Sequence, residues 1–381
     1  MRVYLDNAAT TKVCTEAAEA ALNIMTENYG NPSSTHKLGR EAKKLLEVSR
    51  EQIAGAIGAA PNEIFFTSGG TEADNWAIFS AAEYTKRRGK HIISSSAEHS
   101  AVLKSLEFLK KRGYEITLLK PQADGSVSVE DVVSNLREDT VLVSLMLVNS
   151  ETGGITDIPA ISKALKEKKS SAILHTDAVQ GFLKYPFCVK TLGADLVSLS
   201  GHKIHAPKGV GALFVKDGGR SLKLSPLLVG GLQEGTLRAG TEALPSIVAF
   251  GIAAEAGLSS MDESIEKMSI LKAYAIERLT SEVQGLLVLS GNAPHILNVS
   301  LPDYKGETIV NFLDGRGICV SRSSACKKGG RSHVLEAVGH PPAVIDGALR
   351  ISLSRFTEKD EIEALCDGIL AASQSLFKVL S

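Results

Sequence analysis

No apolar run in this chain is long enough to cross a bilayer, so a helical membrane anchor is not expected. Neither sign of charge dominates: 42 Lys and Arg stand against 43 Asp and Glu, a formal net charge of −1. That balance offers no field for nucleic acid or for an anionic membrane surface. Cysteine is sparse. Cys14, Cys188, Cys319, Cys326 and Cys366 are odd in number, widely spaced and free of any CxxC pair. This spacing argues against a disulfide framework and against zinc or iron–sulfur ligation, so no metal is expected. Met1–Thr11 lack the apolar core of a signal peptide, and no repeat, low-complexity tract or flexible linker interrupts the chain. A cytoplasmic protein with reduced thiols is the expectation.

What is present is alternation. Short β-branched runs occur at Ile64–Thr67, Ile92–Ser95, Ile116–Leu119, Val141–Leu147, Ala172–His175, Leu196–Leu199 and Gly211–Val215. Between them lie amphipathic segments at Arg40–Ile57, Thr71–Arg88, Ser100–Arg112 and Ile158–Lys168. The pattern predicts an α/β fold with a mostly parallel, seven-stranded sheet wrapped by helices. Past Leu244 the texture changes to a long helical region, Ser246–Glu282, then short strands at Ile296–Ser300, Gly317–Val320 and Leu349–Leu353 and a helix from Glu358. The expected division is a large domain over 15–245 and a smaller α+β domain built from 1–14 and 246–381.

Ligands of open parallel sheets bind at the carboxyl ends of the strands. Lys203 follows the run Leu196–Leu199, and alone it reads equally as a solvated turn lysine or as a Schiff-base nucleophile. Gly70 and Thr71 follow Ile64–Thr67 at a strand-to-helix turn, either a phosphate cradle or a plain tight turn. Asp177 follows Ala172–His175, as a helix cap or as a partner for a cofactor's ring nitrogen. His99 follows Ile92–Ser95, as a structural residue or one that stacks on a ring and moves protons. Four such residues on one rim favour a single site over four coincidences. Cys326 lies apart, in a small-residue, glycine-rich loop beside Lys327, Lys328 and Arg331, whose positive field favours the thiolate. Arg350, inside a strand pattern, wants a carboxylate partner, either structural or from a substrate.

Taken together these residues resemble the NifS/IscS-type cysteine desulfurases, of the class V aminotransferase family and pyridoxal-phosphate fold type I. The matching pieces span the chain: Tyr4–Thr11, Tyr29–Ser34, Phe66–Glu72, Glu98-His99, Val148-Asn149, Asp177–Gln180, Ser200–Lys203, Pro207–Gly209, Arg238–Thr241, Ser323–Cys326 and Leu349–Leu353. The resemblance implies pyridoxal phosphate as cofactor, joined to Lys203, with Asp177 on the ring nitrogen, Gln180 on the phenolic oxygen and His99 stacked on the ring. It assigns the phosphate to Gly70, Thr71, Ser200 and His202. Thr241 would reach the phosphate of a neighbouring subunit, which implies a homodimer. Asn149 and Arg350, with Asn31 assisting, would bind the substrate carboxylate. Cys326 would take sulfur from L-cysteine as a persulfide, leave L-alanine, and pass the sulfur to an acceptor or scaffold protein for iron–sulfur assembly or thiolation.

Three places depart from the family pattern. The segment Lys327–Ser332 is shorter than in the better-known IscS members, Ser150 stands where asparagine is usual, and Leu232 where glycine is common. A selenocysteine lyase or another pyridoxal-phosphate lyase of the same fold is the nearest alternative, and Ser323-Ser324-Ala325-Cys326 favours the NifS/IscS branch. A non-catalytic sulfur-relay scaffold is the other, opposed by the joint presence of Lys203, Asp177, His99 and Cys326.

Overall fold

The computed structural model describes residues 2–323 and 330–378, so Cys326 lies outside the described residues. A short strand β1 (Val3–Tyr4) precedes seven strands of one sheet: β2 (Ile64–Thr67), β3 (His91–Ser95), β4 (Glu115–Leu119), β5 (Thr140–Ser144), β6 (Ile173–Asp177), β7 (Leu196–Ser200) and β8 (Gly211–Val215). Their order is β2-β8-β7-β6-β5-β3-β4. Every residue of β2, β3 and β5–β8 is buried, as expected of strands covered on both faces by helices. The edge strand β4 is half exposed. Only β8 runs against its neighbours; the other pairings, β4–β3–β5–β6–β7, are parallel. Since β2 and β7 both oppose β8, they point the same way, and the carboxyl ends of β2, β3, β6 and β7 share one rim. This is the mostly parallel sheet that the alternation predicts.

Helices α1 (Thr15–Thr26) and α2 (Lys37–Ile57) pack on a buried helix, Leu244–Ser259. Helix α3 (Gly70–Thr85) follows β2, and α4 (Ser100–Lys110) follows β3. Gly58, at φ 70°, ends α2 in the left-handed conformation that glycine adopts without strain.

A second hydrophobic cluster gathers Val3 and Leu5 with Met268, Leu271, Leu297, Val299, Leu349, Ile351 and Ile362. Its antiparallel sheet comprises β9 (Leu287–Val288), β10 (Ile296–Ser300), β12 (Ser321–Arg322) and β13 (Ala348–Ser352), while β11 (Ile318–Cys319) pairs with β1. The helical region expected over Ser246–Glu282 is two helices, Leu244–Ser259 and Met261–Glu282, bent by 71° at their junction. The bend has a packing cause. Ile247, Phe250 and Ala254 of the first helix bury in the core beneath the large sheet, whereas Met268, Leu271 and Leu279 of the second enter the other cluster. Among the described residues no single helix is long and apolar enough to cross a membrane.

Candidate functional site

Lys203 closes a one-turn helix, Gly201–Lys203, directly after β7. Its Nζ donates to Ala8 O at 2.6 Å and to Ala9 O at 2.7 Å. The N-terminal segment is clamped over this turn: Thr11 N and Thr11 Oγ1 both donate to His202 O at 3.0 Å, and His205 N donates to Thr11 Oγ1 at 2.8 Å. These bonds hold His205 at φ 71°, a strained backbone for a residue with a side chain. The place of this lysine on the rim was legible in the sequence; the segment that aims it was not.

Gly70 opens α3, which has no side-chain cap, so its first N–H groups face outward at the positive end of the helix. A Cβ at Gly70 would lie 2.7 Å from Val179 Cγ2, so only glycine keeps this cradle. Facing it, Ser200 Oγ is buried without a hydrogen-bond partner. His202 lines the same wall; burial and the charge of Lys203 pull its pKa down to about 4. Glu72 accepts from Ser68 N and from Arg238 Nε and Nη2 at 2.8–3.1 Å, which ties the loop carrying Arg238 and the exposed Thr241 to the start of α3.

Asp177 ends β6, where the sequence expectation placed it just past the strand. Its Oδ1 accepts from Val179 N at 2.9 Å. Burial raises its pKa, while His99 and Lys203 oppose the rise. His99 caps α4, accepting from Ala101 N at Nδ1 over 3.2 Å. Behind them lies a layer the sequence reading missed. Asp74 is fully buried, and burial together with the charge of Asp177 drives its carboxyl well above the usual range. His175 Nε2 sits 3.7 Å from Asp74 Oδ1 and 3.0 Å from Ser198 Oγ, and burial depresses its pKa to about 3. The signal was present: His175 shares a strand face with Asp177, two residues on, and Asp74 is one turn past Gly70.

Gln180 Nε2 donates to Ala8 O at 2.9 Å. Arg350, on β13, donates from Nη1 to Ser150 O at 3.2 Å and from Nη2 to Asp6 Oδ1 at 3.1 Å, leaving its buried Nε without a partner. Gly70, Thr71, His99, Asp177, Gln180, Ser200, His202, Lys203 and Arg350 all line one cavity of about 710 Å³. Three expected residues do not line it. Asn31 is exposed and accepts from Ser33 N. Thr241 is exposed on its loop. Asn149 is buried, its Oδ1 accepting from Glu151 N and Thr152 N and its Nδ2 donating to Ala97 O, so its amide builds the turn beside the cavity. Glu151 and His333, which also line the cavity, were not expected.

The donor set has the chemistry of a bound aromatic phosphate. The Gly70 cradle and the orphaned Ser200 hydroxyl suit the phosphate, and a buried carboxylate suits a protonated ring nitrogen. Asp74, His99 and Asp177 also bring one ligand atom each within 4.8 Å of one another, but the cavity around them is built for something larger than a cation.

Residues 3–365 match the model of the aminotransferase class-V family. The chain is 41% identical over 380 residues to the cysteine desulfurase IscS of Methanosarcina thermophila, covering 98% of this chain and 92% of that one. It is 42% identical over 370 residues to its namesake from Dictyoglomus turgidum, covering 96% and 93%. Among solved structures it superimposes on a NifS-like protein with a TM-score of 0.93 at 35% identity, covering 99% of this chain and all of the other. DndA from Streptomyces lividans follows the same fold, with a TM-score of 0.78 at 37% identity over 92% and 99%.

Proposed function

This chain belongs to the aminotransferase class-V family and is a cysteine desulfurase dependent on pyridoxal phosphate, and from that premise we propose how its residues divide the work. The convergence of Lys203, Asp177 and the Gly70–Ser200 cradle on one cavity carries the reading. Lys203 anchors the cofactor, Asp177 holds its ring nitrogen protonated, His99 stacks on the ring, Gln180 donates to the phenolic oxygen, and Gly70, Thr71, Ser200 and His202 take the phosphate. Bound there, the cofactor supplies an electron sink that makes the Cα proton of an amino acid acidic.

The remaining steps belong to the chain. Arg350 receives the carboxylate of L-cysteine through its guanidinium, beside the turn that Asn149 builds. The Lys203 amine, which would hold the cofactor at rest, would also move the Cα proton. The His99 imidazole accepts the substrate thiol proton. Because Nδ1 accepts from Ala101 N, the resting hydrogen is on Nε2, and the proton is taken at Nδ1 as that bond is given up. The Cys326 thiolate attacks the substrate sulfur, so an S–S bond forms as the C–S bond breaks, and the electron pair left on carbon takes a proton. The products are L-alanine and a persulfide on Cys326, which a sulfur-acceptor protein collects. Exposed Val229 and Leu232, on the loop that carries Thr241, support a homodimer. The unpaired thiols of Cys14, Cys188, Cys319 and Cys366 support a cytoplasmic setting. Two separate hydrophobic cores support a large and a small domain, the small one joined by Val3 and Leu5. The helix Leu244–Ser259 buries in the first core, which favours a boundary near Ser260 over the expected one at 245.

The test is to measure alanine and sulfide from L-cysteine alongside the visible spectrum. Lys203→Ala abolishes the absorption band of the lysine-linked cofactor, and Cys326→Ala abolishes sulfide release from cysteine. Full release by Cys326→Ala overturns the persulfide step. A selenocysteine rate far above the cysteine rate in the unmodified protein assigns it to the lyase branch instead.

A further inference from the structure

Lys184 has no place in the chemistry above, and its burial needs a reason. It is 8% exposed, and the charged groups that bear on it include Lys203 and Arg350, both of its own sign. A lysine buried among cations is costly unless its hydrogen bonding is needed. The backbone is strained to put it there. Leu183, the preceding residue, sits at φ 56°, and Gly257 leaves room for it: a Cβ there would come within 2.9 Å of Leu183 Cδ1.

The buried amine donates from Nζ to Gln180 Oε1 at 2.9 Å. Gln180 Nε2 donates to Ala8 O at 2.9 Å, and Lys203 Nζ donates to that same carbonyl at 2.6 Å. The backbone carbonyl accepts only, so it demands the NH₂ edge of the amide. That leaves Oε1 as a buried acceptor, and Lys184 satisfies it whether the amine is protonated or neutral. Burial, reinforced by Lys203 and Arg350, favours the neutral form. Held from both sides, the amide cannot turn over. Gln180 lines the cavity, and its Nε2 has a second N–H beyond the one given to Ala8 O.

We propose that Lys184 is a positioning residue: it locks the Gln180 amide so that an N–H, never the carbonyl, meets the phenolic oxygen of the cofactor. The inference rests on the assignment of Gln180 and Lys203 made above. A donor at that oxygen favours whichever form of the lysine-linked cofactor carries more negative charge. Losing it therefore raises the pH at which that form takes over.

The experiment titrates the cofactor-loaded, substrate-free protein from neutral to alkaline pH and follows its visible absorbance. Lys184→Met raises the midpoint by about one pH unit. Lys184→Arg, which keeps the donors, restores most of the shift and covers the case in which the methionine variant fails to fold. In a Gln180→Leu background Lys184→Met adds nothing, because the effect passes through the amide. An unmoved midpoint, or one that moves equally with and without Gln180, overturns the proposal. A band that persists in Lys203→Ala instead overturns the underlying site assignment, so the two failures are distinguishable.

Discussion

Arg350 and Asp6 form an ion pair at the cavity wall, Nη2 to Oδ1 at 3.1 Å, in the place where a substrate carboxylate has to arrive. Burial raises the pKa of Asp6 and the guanidinium of Arg350 opposes that rise, so the two share a marginal contact that an incoming carboxylate can replace. Arg350→Lys keeps the charge but removes the planar fork. Losing one charge-assisted hydrogen bond costs about 1.5–3 kcal/mol, so KM for L-cysteine rises roughly 10- to 100-fold with a smaller change in kcat. Asp6→Asn removes the competing anion and lowers KM. Steady-state alanine formation checks both, and shifts in the same direction for the two variants would refute the competition.

Arg50 and Glu234 predict a stability effect away from the chemistry. The guanidinium donates to both carboxylate oxygens, at 2.7 and 2.8 Å, and Phe66 N donates to Glu234 Oε2 at 2.9 Å. Their side chains are 10% and 2% exposed. Glu234 holds this position at φ 47° and ties its loop to β2. Glu234→Ala removes the bidentate partner of a buried arginine, which keeps only Ile64 O at 2.7 Å and the exposed Glu47 at 3.4 Å. It also leaves Phe66 N without its acceptor, and the loss is about 3 kcal/mol. Urea denaturation of the cofactor-free protein measures it, and a loss typical of surface substitutions would contradict the burial argument.

Glu151 gives a pH dependence of defined sign. Burial lifts its pKa from the ordinary 4.5 to about 7, against the Ser332 hydroxyl that donates to it and the charge of Arg350. Between those values the folded protein binds a proton that the unfolded chain does not. Its contribution to stability is therefore complete below pH 4.5 and falls away as pH rises to about 7. Glu151→Gln gains on the unmodified protein across that window by up to about 1.4 kcal/mol per pH unit, and the gap stays constant above it. Denaturation series at several pH values decide the matter. A gap independent of pH would place Glu151 in solvent.

The rim was legible because strand ends are short, apolar and followed by polar residues, so Lys203, Asp177, His99 and Gly70 could each be placed from local pattern. Arg350 was legible as a charge inside a strand. Asp74 and His175 were overlooked despite their spacing from Gly70 and Asp177, because each reads as an ordinary polar residue until the crossing of α3 over β6 brings them together. The clamp of Thr10–Lys12 on His202 and His205 joins positions nearly two hundred residues apart, about 190 by sequence separation, which no local periodicity encodes. The same holds for the bend near Ser260, set by two cores competing for one helical run. Asn149 shows the converse: the resemblance put it on the substrate carboxylate, but it does not line the cavity and its bonding is spent on backbone.

The cradle at Gly70 yields the last prediction. Val179 is β-branched and stiff, so a methyl group 2.7 Å from its Cγ2 cannot be absorbed by a rotamer change. In Gly70→Ala the strain falls on the backbone instead, displacing the first turn of α3 from Ser200, whose Cβ lies 3.7 Å from the added atom. Overpacking of this kind costs about 1–3 kcal/mol, and here much of it is felt by the bound phosphate. Pyridoxal phosphate therefore binds Gly70→Ala at least tenfold or so more weakly, while Lys203 still forms its band at saturating cofactor. Cofactor titration followed by absorbance separates affinity from linkage. An unchanged affinity with a normal band would mean that α3 does not hold the phosphate and that Ser200 and His202 hold it alone.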